Sequence, residues 1–267
     1  MIRTTKEQLA EIREALRSPK RLLNEKVWTF LVASILDTAE DQAPYVKVLC
    51  GEGASYAGRR FDPWFEAQPL SPRLGTPKVD HETNSKIDLA FGAVTRRGDY
   101  DSGIEFDPVW PDSWACFVEA KFLHDSASRT TNDPYRNQLE RDIESLLCFQ
   151  VNGQFPERLF FTLLTPRRFL DKPRARLYGY RIKEYQRDSG LLVEDIKDFK
   201  TAGRTNYGQV YPEPEGRAGV LNITWATYED VLELAFGQPK IDTLDPTGIA
   251  DLQGRLNEIA EELEATD

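Results

Sequence analysis

An acid and an amine, Glu119 and Lys121, stand two residues apart in the run Ser113-Trp114-Ala115-Cys116-Phe117-Val118-Glu119-Ala120-Lys121-Phe122. The run is rich in strand formers, and residues two apart on a strand point to the same side. Cys116, Val118, Ala120 and Phe122 then form one wholly apolar face. Ala115 and Phe117 begin the other face, and Glu119 and Lys121 continue it. A buried charge is costly unless it is paired or bound to a metal, so an acid and an amine in so apolar a strand need a reason. A second acid stands in a similar setting: Asp88 lies near the start of Lys86-Ile87-Asp88-Leu89-Ala90-Phe91-Gly92-Ala93-Val94. Aspartate is depleted in strands. A segment rich in Gly, Asp and Pro, 96–111, separates the two runs, and neighbouring strands joined by a loop most simply pair antiparallel. Asp88, early in one strand, and Glu119, late in the next, then meet at one end of the pair. Two converging carboxylates suit a hard cation such as Mg²⁺ (or Mn²⁺). A lysine beside them can orient or help deprotonate an attacking water, or stabilise developing negative charge.

These strands need elements to position them. Apolar periodicity predicts a helix over 5–16, capped by Thr4 or Thr5, and a second over 24–38 with Asn24 as its cap. Glu25 falls in the first turn of the second helix, where an acid complements the positive helix end. Residues 41–81 show no clean period; 45–50 read as a short helix or strand, and the Gly- and Pro-rich 51–77 as a substrate-facing insertion or a loop packed by its own aromatics. After 122 comes a polar loop carrying His124. A helix over 135–149 follows, with Asp133 as cap, Pro134 at its start and a stripe of Leu139, Ile143, Leu146 and Leu147. Gln138, Arg141 and Asp142 neighbour one another on its surface, which on its own also describes a solvated face shared with Glu140 and Glu144. Residues 158–165 read as a fully buried strand. The succession 113–122, 135–149, 158–165 is a βαβ unit with parallel strands. Beyond it Arg167, Arg168, Lys172 and Arg174 open the most basic stretch of the chain, interleaved with Tyr178, Tyr180 and Tyr185. It reads either as a charged surface loop or as a place for backbone phosphates. A helix over 189–200, a loop or β excursion over 201–219, a strand over 220–225 with Trp225 in the core, a Thr227-capped helix over 228–236 and a last amphipathic helix over about 248–265 complete the chain.

Asp88 followed by Glu119-x-Lys121 on a later strand resembles the PD-(D/E)xK nuclease superfamily. The likeness extends over about 22–236 once the flanking elements are counted. The proline expected before the aspartate is Ile87 here. The resemblance implies a single domain over 1–267: an α/β restriction-endonuclease-like core with a central mixed β-sheet flanked by helices, and N- and C-terminal helical additions. It implies Asp88 and Glu119 as metal ligands, with Glu25 matching a first-helix glutamate that joins the metal site. Lys121 would be catalytic. Gln138 would orient the site, as the first part of an N-Q-x-x-R pattern that also contains Arg141. The activity implied is Mg²⁺-dependent hydrolysis of phosphodiester bonds, with DNA as the expected substrate. The alternative is a catalytically inactive module of the same fold that binds protein or nucleic acid.

Composition bounds these readings. Of 267 residues 40% are hydrophobic and 11% aromatic, enough for a packed core. The net charge of −10 argues against a surface coated for non-specific nucleic-acid binding, and leaves a local basic groove or a protein partner, including a homodimer, as options. Three cysteines without metal-ligand spacing read as reduced thiols. The first residues lack an apolar signal core and no apolar run reaches about 18 residues, so a cytoplasmic protein without membrane contact is expected. There is no G-x-S-x-G, phosphate-binding glycine loop or H-E-x-x-H motif.

Overall fold

Tryptophan, phenylalanine and valine at 114, 117 and 118 favour the extended backbone, and the strand β5 (Trp114–Ala120) is buried along its whole length. The computed structural model describes residues 1–16, 24–54, 56, 58–72, 86–98, 101–122, 137–171, 177–197 and 212–236. Around β5 stands a seven-stranded mixed sheet of the order β3-β4-β1-β2-β5-β6-β7. Its other strands are β1 (Trp64–Pro69), β2 (Ile87–Gly92), β3 (Val94–Arg96), β4 (Gly103–Phe106), β6 (Arg158–Thr165) and β7 (Leu221–Thr227). β2 runs antiparallel to both β1 and β5, whereas β5, β6 and β7 are mutually parallel. The protein is therefore α/β, with helices on both faces of a mixed sheet.

The two faces of β5 divide as its alternation requires. Cys116, Val118, Ala120 and Phe122 pack with α2 (Glu25–Thr38), α3 (Ala43–Cys50) and α9 (Tyr228–Phe236). Ala115 and Phe117 pack with α4 (Gln138–Leu147), α6 (Leu177–Arg187) and α7 (Ser189–Lys197). Each large apolar side chain so enclosed contributes about 1.5–3 kcal/mol. α1 (Lys6–Leu16) closes the first of these layers, and Thr5 and Gln8 cap it reciprocally. Asn24 caps α2 by accepting from the Lys26 N–H.

Four expectations need correction. Residues 64–69 were expected to lie in an aperiodic insertion; they form β1, which is enclosed on both faces and so shows no alternation. Glu66 within it has a positive φ of 51°. The segment between Asp88 and Glu119 is no simple loop: β3 and β4 form a hairpin there, and β4 pairs parallel with β1. The helix after β5 begins at Gln138, because Asn137 closes a capping box with Glu140; Asp133, Pro134 and His124 lie outside the described residues. The stretch after β6 is helical where described, in α5 (Arg167–Asp171) and α6. Tyr178 and Tyr185 are core residues of α6, and Tyr180 is exposed. Trp225 is half-buried, donating its indole N–H to Thr165 Oγ1 at 2.9 Å. Helices 189–197 and 228–236 and strand 221–227 match the reading, whereas 248–265 lies outside the described residues.

Gly92 joins β2 to the next turn at φ +98°, a conformation that L side chains rarely adopt. A Cβ there would stand 2.7 Å from the Trp114 ring and from the Trp114 carbonyl oxygen. Gly92→Ala is expected to lose at least about 2 kcal/mol through backbone strain and overpacking, read as a drop in the urea midpoint at unchanged slope.

Candidate functional site

Antiparallel register places Asp88 and Glu119 side by side. Leu89 faces Val118 and Ala90 faces Phe117, so the next step brings Asp88 opposite Glu119. Asp88 Oδ2 accepts the Ala120 N–H at 2.8 Å, which fixes the aspartate against the end of β5. This is the carboxyl end of the parallel strands β5, β6 and β7, the edge at which open α/β sheets bind ligands.

Lys121 is the hub. It is 4% exposed, and its Nζ donates to Glu119 Oε1 at 2.5 Å, to the Ala120 carbonyl oxygen at 2.9 Å and to Glu25 Oε1 at 3.3 Å. Glu25 Oε2 accepts the Phe122 N–H at 3.1 Å. Glu25 therefore does more than complement the start of α2: it ties that helix to the end of β5. The stacked pair Trp28 and Phe122, 5.1 Å between centroids, walls the site on this side, with Tyr228 edge-on to Phe122.

Asp142 is the member that the sequence reading missed as a site residue. It was placed beside Gln138 and Arg141 on a helix surface that also read as solvated, yet it is buried, and its charge pushes the Glu119 carboxyl up. A signal was present. Leu139, Asp142, Ile143 and Leu146 stand at i, i+3, i+4 and i+7, so Asp142 belongs to the apolar stripe. Gln138, one turn earlier, is half-buried and makes no hydrogen bond to Glu119 or Lys121 among the described residues. Arg141 is half-buried, and its charge favours the ionised form of Asp142.

Burial dominates the electrostatics. It pushes Glu119 up to about 8 against the pull of Lys121, with Asp142 adding to the rise. It pushes Asp142 up to about 7 against the pull of Arg141. Asp88 is raised well above the usual carboxylate range by burial and by Glu119. Burial alone would lower the Lys121 pKa, but the charges of Glu119, Asp88 and Glu25 outweigh it and hold the amine protonated.

Two buried oxygens of the site, Glu119 Oε2 and Asp142 Oδ2, have no hydrogen-bond donor among the described residues. A buried carboxylate oxygen in that state needs a proton on it or a cation beside it. Among the described residues no three His, Cys, Asp or Glu side chains stand in a ready metal-holding arrangement; the Lys121 ammonium lies instead among Glu119 Oε1, Glu25 Oε1 and the Ala120 carbonyl oxygen. The donor set of Asp88, Glu119, Glu25 and the Ala120 carbonyl is all oxygen, the chemistry that a hard divalent cation takes.

The basic residues are distributed differently. Arg167 lies on the same sheet edge, past the end of β6, and is engaged with α9: its guanidinium pairs with Asp230 and Glu233 at 2.8 Å each, and its N–H donates to Glu229. Arg181 pairs with Asp195 and Glu184. Lys172 and Arg174 lie outside the described residues, as does the side chain of Arg168. No described helix is long and apolar enough to cross a membrane. The chain matches no protein-family model, no curated protein and no solved structure.

Proposed function

We propose that the chain is a metal-dependent nuclease of the PD-(D/E)xK type with a restriction-endonuclease-like core, hydrolysing phosphodiester bonds of DNA. The observation that carries the reading is the convergence of Asp88, Glu119 and Lys121, with Glu25 and the Ala120 carbonyl, at the carboxyl edge of the parallel strands. Asp88 and Glu119 would hold Mg²⁺ or Mn²⁺, with Glu25 and the Ala120 carbonyl completing the oxygen set. Such an ion supplies Lewis-acid polarisation of the phosphoryl oxygen and a more acidic water. Lys121, held as an ammonium, is suited to orient water and to offset the negative charge that builds on the phosphoryl oxygens. It is unsuited to take the water's proton, because its own is held too tightly. Asp142, buried on α4, would tune the charge of Glu119. Gln138 and Arg141, at the start of the same helix, would orient the scissile strand.

One observation favours a catalytically inactive module of the same fold: Lys121 already neutralises the acids from within. Calorimetry with Mg²⁺ and Mn²⁺, and nicking assays on plasmid and single-stranded DNA, decide between the two. The wild type is expected to bind the cation and nick DNA, and Asp88→Ala/Glu119→Ala to do neither. A wild type that binds no cation even with DNA present rejects the nuclease reading. Asp142→Asn is expected to keep cation binding but slow nicking by about tenfold or more, since misplacing a ligand's support typically costs 10–100-fold.

A further inference from the structure

At the opposite end of the central strands from Glu119, a cavity of about 520 Å³ opens beside Gly92 and Trp64. Gly92 lies four residues along β2 from Asp88, roughly 13 Å at about 3.3 Å per residue, so the cavity is separate from the acid site. Among the described residues its wall carries four arginines, Arg3, Arg59, Arg60 and Arg96, against three aspartates, Asp62, Asp101 and Asp107. On a chain of net charge −10 that is a local reversal of sign.

The aspartates are already engaged. Asp62 takes Arg3 at 2.6 Å, Asp101 takes Arg96 at 2.6 Å, and Asp107 accepts the Val109 N–H. Arg60 donates to the Ala39 carbonyl. Arg59 is different: it is exposed, pairs with no carboxylate among the described residues, and lies over the Trp110 ring at 4.5 Å from its centroid. Stacking on an indole orients a guanidinium without neutralising it. The Trp110 indole N–H is itself a donor without an acceptor among the described residues. The Arg96–Asp101 pair is solvent-exposed, and exposed pairs contribute little, so an anion can draw Arg96 away.

We propose that this cavity binds a mononucleotide, its phosphate held by Arg59 and Arg96 and its planar base against the Arg59–Trp110 stack. Guanidinium forks match phosphate oxygens two at a time. The volume lies within the ~300–1,000 Å³ of small-ligand sites and is far larger than a free phosphate requires. The assignment is independent of the nuclease reading.

Calorimetry tests it with the four nucleoside monophosphates, adenosine, inorganic phosphate and a fifteen-residue oligothymidylate as separate titrants. At least one monophosphate is expected to bind the wild type, with adenosine and inorganic phosphate each at least about tenfold weaker. Arg59→Ala/Arg96→Ala is expected to weaken that binding by about tenfold or more, as loss of charge-assisted bonds implies. Both arginines are exposed, and an unchanged thermal midpoint would show that the variant is folded; should it shift, Arg59→Lys, which keeps the charge and loses the planar fork, serves in its place. Asp88→Asn is expected to bind as the wild type does. The proposal is overturned if no monophosphate binds, if the arginine variants bind equally well, if inorganic phosphate binds as tightly, or if only the oligonucleotide binds.

Discussion

Glu119→Gln is expected to raise the thermal midpoint of the metal-free protein at pH 8 while abolishing any cation-dependent nicking. The stability half follows from burial. Glu119 is fully enclosed, with its carboxyl pushed up to about 8, and Asp142 beside it is pushed up to about 7. A carboxyl whose pKa is raised on folding binds more protons in the native state than in the unfolded chain. Its favourable, protonated form is fully present below the unfolded values, near 4, and is lost as pH rises towards 8. The metal-free wild type should therefore lose stability between about pH 5 and pH 8. Lys121 does not cancel this trend: its raised pKa adds stability that is lost only at alkaline pH, outside that window.

Glutamine keeps the shape and an acceptor for Lys121 but carries no charge to desolvate, so the variant's midpoint should vary less with pH and cross above that of the wild type. Scanning calorimetry from pH 5 to 8.5, with and without Mg²⁺, measures it. In the wild type the cation should raise the midpoint more at pH 8 than at pH 5, because it competes with protons for the same oxygens. A variant whose midpoint parallels the wild type at every pH would show that Glu119 is not the group responsible. A site destabilised by its own acids is what a protein would carry if those acids served a ligand.

Much of this arrangement was legible in the sequence because it rests on period two and on polarity. Glu119 and Lys121 announce themselves as charges in a run that otherwise buries, and alternation alone assigns them to the face opposite Cys116 and Val118. The parallel pairing of β5 and β6 follows from the helix between them. Other features needed three dimensions. β1 has both faces covered, so its residues carry no alternation to read, and Glu66 interrupts it with a positive φ. Asp142 entered only as a neighbour of Gln138 and Arg141 on a helix surface that also read as solvated, although its spacing from Leu139 and Leu146 placed it inward. Arg167 looked available for phosphate because its partners, Asp230 and Glu233, lie more than sixty residues away in the chain. Local charge composition reports what a segment carries; it cannot report what the rest of the fold brings to meet it.

Lys121→Met is expected to be the most destabilising single change in the site. The methionine matches the stem but withdraws the ammonium from Glu119, Glu25 and the Ala120 carbonyl at once. Removing one member of a buried ion pair costs about 3–5 kcal/mol, because the remaining charge is left desolvated. The loss should be greatest near pH 8 and shrink towards pH 5, where Glu119 and Asp142 take up protons in its place. Adding Glu119→Gln to Lys121→Met should restore a substantial part, giving a coupling of about 1–3 kcal/mol in a double-mutant cycle. The same variant separates two roles of the lysine. Its Nζ shares the oxygens that a divalent cation would use, so without it Mg²⁺ should bind more tightly, while nicking, which in this reading needs the positive charge beside the phosphoryl oxygens, should be lost. Tighter binding with no turnover would identify the ammonium as both competitor for the site and participant in the reaction. Weaker binding would mean that Lys121 holds the acids in place, and that Glu25 and Glu119 drift apart without it.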